Sequence, residues 1–134
     1  MEIDYLKYPE QNAQKMIYAY MYSLARDHRK IKSMIEIAEM SKNGPKVLFF
    51  ISPVNFRLGE KYLPNQFSQR LKENIDLIKE VAKDTDVDLL DLSGVLKPEH
   101  FVGGGTVDPD DHPNGLGRKY IASQLAERIS SILE

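Results

Sequence analysis

The chain contains no cysteine. That removes disulfides, thiolate nucleophiles and cysteine-ligated zinc together, although it does not decide the compartment. A surplus of one charge is missing as well: 18 Lys and Arg stand against 20 Asp and Glu, for a net charge of -2. Without a basic footprint, nucleic acid is not expected as a partner, and the Arg26, Arg29 and Lys30 cluster reads as a solvated helix face. Long hydrophobic runs are absent too. The longest, residues 47–51, falls far short of the ~20 residues that span a bilayer. Met1-Glu2-Ile3-Asp4-Tyr5 has no basic region leading into an apolar core, so no signal peptide is expected and the compartment stays open. No internal repeat or low-complexity segment breaks the chain.

What is present suits one folded domain over 1–134. Hydrophobic residues make up 42% and charged residues 28% of the chain, enough apolar material for a core and too little charge for disorder. The stretch that concentrates reactive groups is residues 107–117, Val-Asp-Pro-Asp-Asp-His-Pro-Asn-Gly-Leu-Gly. It sets Asp108, Asp110 and Asp111 around His112 just ahead of an amphipathic run. A carboxylate beside an imidazole fixes its tautomer and stabilises its charged form, which is what a general base needs. The plainer reading is a polar turn that caps the last helix.

Around that stretch the periodicity predicts an α/β domain. Residues 1–9 read as a short edge strand or an extended arm. Met16, Ile17, Tyr20, Met21 and Leu24, then Ile31, Met34, Ile35 and Ala38, fall at helical spacing. They predict two helices, or one bent near Asp27 and His28, ending at Asn43-Gly44-Pro45. Residues 47–51 predict a buried strand, followed by a long loop over residues 52–64 that places Asn55 at the strand's C-terminal end, where α/β folds bind ligands. A helix from Asn65, the expected N-cap, runs to about Lys83, and residues 87–92 give a second strand. Strand, helix and strand over 46–92 make a βαβ unit with parallel strands. Asp91 is expected to cap the following turn. The loop over 93–113 includes Gly103, Gly104 and Gly105, read as flexibility. A last helix from Gly117 to Leu133 should turn Tyr120, Ile121, Leu125, Ile129 and Ile132 inward. His28 and His100 read as surface residues, and Ser52, lacking a nucleophile elbow, as a turn residue.

The segment His112-Pro113-Asn114-x-x-Gly117, with the preceding aspartates and the terminal helix, resembles the last motif block of the SGNH (GDSL-like) hydrolase superfamily. The order of an apolar strand ending in Pro53, a helix, a strand reading Val-Asp-Leu-Leu-Asp-Leu and a loop into the histidine is similar to the C-terminal half of that fold, over roughly residues 45–134. The resemblance implies a partial doubly wound, flavodoxin-like parallel sheet, with a helical N-terminal region and a C-terminal helix. It also implies an esterase or O-acyltransferase in which His112 is the base, an aspartate its orienter, and Asn55 and Asn114 substrate-binding. An acyl ester, on a carbohydrate for instance, is the implied substrate, with no cofactor and no metal.

Two departures stand out. The family register puts its aspartate at position 109, which is Pro109 here, leaving Asp108, Asp110 or Asp111 to substitute. No Gly-Asp-Ser nucleophile block occurs anywhere in the chain. A hydroxyl must therefore come from outside this chain, or the chain is a non-catalytic α/β interaction or scaffold domain. Two strands also make a thin sheet, which suggests missing strands or pairing with another chain, a second copy or a partner that completes it. A metal site built from Asp108, Asp110, Asp111 and His112 is a further reading. Pro113 stands where an EF-hand loop needs glycine, and with Pro109 it limits how the carboxylates converge.

Overall fold

The computed structural model describes residues 10–104 and 110–134. The arm or strand expected over 1–9, and Asp108, lie outside the described residues. Helix α1 (Gln11–Tyr20) buries Ala13, Met16 and Ile17; Met16 and Ile17 belong to the expected stripe, whose Met21 and Leu24 lie past the end of the helix. Helix α2 (Arg29–Met40) opens on His28, whose Nδ1 accepts from the Lys30 backbone N–H at 3.1 Å. The helical region is therefore two helices rather than one bent rod. The link between them is tied down by the buried Asn74, whose side-chain oxygen accepts from Leu24 N–H (2.9 Å) and whose amide donates to the Tyr22 carbonyl (2.8 Å).

Strand β1 (Leu48–Ile51) leads through helices α3 (Phe56–Tyr62) and α4 (Gln66–Thr85) to strand β2 (Asp88–Asp91). The strands pair in parallel, with Leu48 opposite Asp88 and Ile51 opposite Asp91. The domain is mostly helical, with this small two-stranded sheet, and broadly α/β. Asp91 serves the turn as expected, accepting from the Ser93 backbone N–H (3.0 Å) and hydroxyl (2.6 Å).

Three local expectations need correction. The loop over 52–64 contains α3, started by Asn55, whose side chain accepts from Leu58 N–H. Asn65 does not cap α4 with its side chain. It sits at φ 63°, and the carboxylate of Glu60 takes the backbone N–H groups of Asn65 and Ser68 and the Ser68 hydroxyl. Gly104 is not slack: a Cβ there would strike the Pro98 carbonyl, and its N–H bonds to the Phe101 carbonyl at 2.9 Å.

Two apolar clusters hold the layers together. Met16, Ile17, Met21, Val54, Leu58, Leu63, Phe67 and Leu71 join α1, α3 and α4. Ile31, Met34, Val81 and Ala82 fasten α2 and α4 onto one face of the sheet through Phe49 and Leu89. Each large side chain removed from water this way contributes about 1.5–3 kcal/mol.

Helix α5 (Gly115–Leu133) lies on the other face. Asp88, one residue from Leu89 and so directed to the opposite side, pairs with Arg128 at 3.1 Å, and Lys46 Nζ donates to the Ile132 carbonyl at 3.0 Å. This face is only loosely covered. Tyr120 is 41% and Ile129 47% exposed, while Ile121, Leu125 and Ile132 are half-buried, so the inward face expected of α5 is incomplete. No helix among the described residues is long and apolar enough to cross a membrane.

Candidate functional site

The site is a short backbone clamp carrying three side chains. Val102 N–H donates to the His112 carbonyl and Asp110 N–H donates to the Val102 carbonyl, both at 2.8 Å. The clamp is anchored by Phe101, fully buried and bridged antiparallel to Pro113. From the other side the buried Asn55 donates its amide to the Asp110 carbonyl at 3.0 Å. The loop after β1 and the loop before α5 thus meet at Asp110.

Asp110 is the acid that takes the imidazole. Its Oδ1 lies 2.6 Å from His112 Nδ1 and also accepts the backbone N–H groups of Asp111 (2.6 Å) and His112 (3.2 Å). Asp111 Oδ1 stands further off, 3.2 Å from the same nitrogen. The bond from His112, followed by the help of Asp111, holds the Asp110 carboxyl down to about 2. In return, the bond to Asp110 and the charges of both aspartates raise the pKa of His112. The ring is 77% exposed. Nδ1 is engaged, and no described residue bonds to Nε2. Among the described residues, no serine or threonine hydroxyl bonds to His112.

Asp111 is held from the core side. The Tyr20 hydroxyl donates to Asp111 Oδ2 at 2.6 Å, while the Tyr20 ring packs edge-on against Phe67 at 5.5 Å. Burial and then the bond to Asp111 push the Tyr20 hydroxyl well above the usual tyrosine range, so it stays a donor. Tyr20 belongs to a stripe that reads as core, and its polar tip is the one signal that marks it out. Beside this contact opens a cleft of about 380 Å3 lined by Asn12, Lys15, Met16, Leu58, Tyr62, Asp110 and Asp111. Of its lining, Asn12, Lys15, Leu58 and Tyr62 do not stand out in the sequence as functional.

Of the site residues expected from the sequence, the structure brings Asp110, Asp111, His112 and Asn55 together, and Asp108 lies outside the described residues. Asn114 stands next to them, with its amide committed. Its oxygen accepts from Gly117 N–H (3.0 Å) as the cap of α5, and its nitrogen donates to the carbonyls of Glu99 (2.8 Å) and Phe101 (3.3 Å). His28 and His100 each bond locally to backbone. Ligand atoms of Asp110, Asp111 and His112 lie within 4.8 Å of one another, and these are the side chains that could hold a cation. In this arrangement Nδ1 and Oδ1 are spent on each other. What the geometry can do unaided is proton transfer at an oriented, solvent-facing imidazole. No family model, no curated protein and no solved structure matches the chain.

Proposed function

We propose that this chain supplies the histidine and aspartate of an acyl-transfer site, as the C-terminal portion of an SGNH-type esterase or O-acyltransferase. The observation that carries this reading is the 2.6 Å contact from Asp110 Oδ1 to His112 Nδ1 on a ring that is 77% exposed. His112 Nε2 removes the proton of an incoming hydroxyl as that oxygen attacks the ester carbonyl, then returns it to the departing oxygen. Asp110 steadies the imidazolium between those steps. The aspartate thus acts from two residues before the histidine, one place later than the family register, because Pro109 occupies the usual position. The attacking hydroxyl is the serine of a Ser-His-Asp triad, supplied from outside this chain, and the acyl group then passes to water or to an acceptor hydroxyl such as a carbohydrate's. The βαβ unit with helices on both faces of its sheet is consistent with part of a doubly wound layout.

Hydrolysis of p-nitrophenyl acetate tests the reading, with water as acceptor. General-base assistance contributes on the order of 10²–10⁴-fold, so His112→Ala and Asp110→Asn should each lower the rate by at least tenfold. Equal rates for the wild type and His112→Ala would contradict it. They would favour the second reading, a non-catalytic interaction or scaffold domain, for which the exposure of His112 and the absence of a Gly-Asp-Ser block speak.

A further inference from the structure

Among the described residues, nothing pairs with the outer edge of β1. Strand β1 reads Leu-Phe-Phe-Ile, yet none of these residues is fully buried, and Phe50 is 43% exposed. Its backbone has two directions. Ile51 opposes Asp91 in parallel register, and its carbonyl accepts from Leu92 N–H at 3.1 Å. Because N–H and C=O groups alternate along a strand, Phe49 and Ile51 address β2. The backbone groups of Leu48, Phe50 and Ser52 point away from it, and no described group outside the sheet bonds to them. A row of alternating donors and acceptors is satisfied by another strand.

The two edges differ in what they tolerate. Self-pairing along the outer edge of β2 would bring Asp88 and Asp91 toward their own copies. By contrast the chain carries no charge from Val47 to Phe56. We propose that two copies of this chain join edge to edge through β1, antiparallel about a two-fold axis at Phe50. Phe50 of each copy then exchanges both backbone bonds with Phe50 of the other, and Leu48 pairs with Ser52. Such an axis stands perpendicular to the sheet and keeps each face on its own side. The two exposed Phe50 rings meet on the α5 face, and the two α5 helices, with Tyr120 and Ile129, share that face. The interface is the same patch on both copies, as a closed dimer requires. Pairing ends at Ser52, short of Asn55, and the dimer stands or falls separately from the acyl-transfer reading.

A chain without cysteine makes the test clean. Residues opposed in a hydrogen-bonded antiparallel pair have Cα atoms ~5.5 Å apart, inside the roughly 4.4–6.8 Å range of disulfides. Mild oxidation of Phe50→Cys should therefore give a covalent dimer at dilution, while Tyr18→Cys, at an 89% exposed position on α1, should lag at least tenfold. By sedimentation, the wild type should be dimeric at micromolar concentration. Phe50→Lys, which leaves the backbone unaltered, should be monomeric with unchanged circular dichroism, and Phe50→Pro, which removes the outward N–H and also fixes φ, should be monomeric as well. A wild type that stays monomeric at every micromolar concentration, Phe50→Cys linking no faster than Tyr18→Cys, or a dimer that survives Phe50→Lys would each overturn the proposal.

Discussion

Within the imidazole of His112 the two nitrogens have different surroundings, and the difference traces to backbone bonds several residues away. Three acids flank the ring in sequence, and residue types alone leave the partner open. Among the described acids the choice falls on Asp110. Its own N–H is pinned to Val102 and its carbonyl to Asn55, so its carboxylate turns back onto the ring. Asp111 is turned instead toward Tyr20. Tyr20→Phe should then cost about 1.5–3 kcal/mol, the net worth of a hydrogen bond to a charged group, as measured by urea denaturation. The pKa of His112 should stay raised in that variant, because Asp110 is untouched. Sequence exposed the histidine and its acids but not this division of labour, which depends on contacts from positions 20 and 55.

Helices and strands with long apolar periods were legible, and elements set by close contacts were not. The stripes of α1, α2 and α4 and the two short strands follow spacing and β-branched or aromatic content. Helix α3 is seven residues with Gly59 inside it, too short for periodicity to register. Its Glu60, rather than Asn65, serves the start of α4, a pairing across the turn that no local pattern signals. Helix α5 shows the converse failure: its apolar spacing is plain, but the surface it should bury against is only partly there. What positions α5 is its first turn. Asn114 caps it, and Gly117 lies so close to the His100 carbonyl that a Cβ would collide with backbone. Gly117→Ala should destabilise the fold by about 1–3 kcal/mol, as overpacking does. Denaturation should read that loss. Because the shifted turn carries Asn114 and its contacts to residues 99–101, His112 should also be displaced.

For the molecule as a whole, the pair of Asp110 and His112 imposes a pH window. A carboxyl held below its ordinary pKa near 3.9 adds stability above that pH, lost as pH falls toward about 2. A histidine raised above its ordinary pKa near 6.5 adds stability below that pH, lost as pH rises through the raised value. These are the two edges of one interaction, which is complete between roughly pH 4 and 6.5 and small, because the pair is exposed and screened by solvent. The half-covered sheet belongs to this scale too. A single strand pair was legible in the sequence as thin, whereas which edge carries acids and which has no partner among the described residues needed the register. One acid holding one ring is the central feature of this site, and an NMR titration of the His112 ring nitrogens in the intact chain addresses it directly. The wild type should titrate above the ordinary histidine value with Nδ1 protonated in the neutral form, and Asp110→Asn should bring the midpoint down. Identical titrations in the two proteins, or a neutral ring protonated at Nε2, would contradict it.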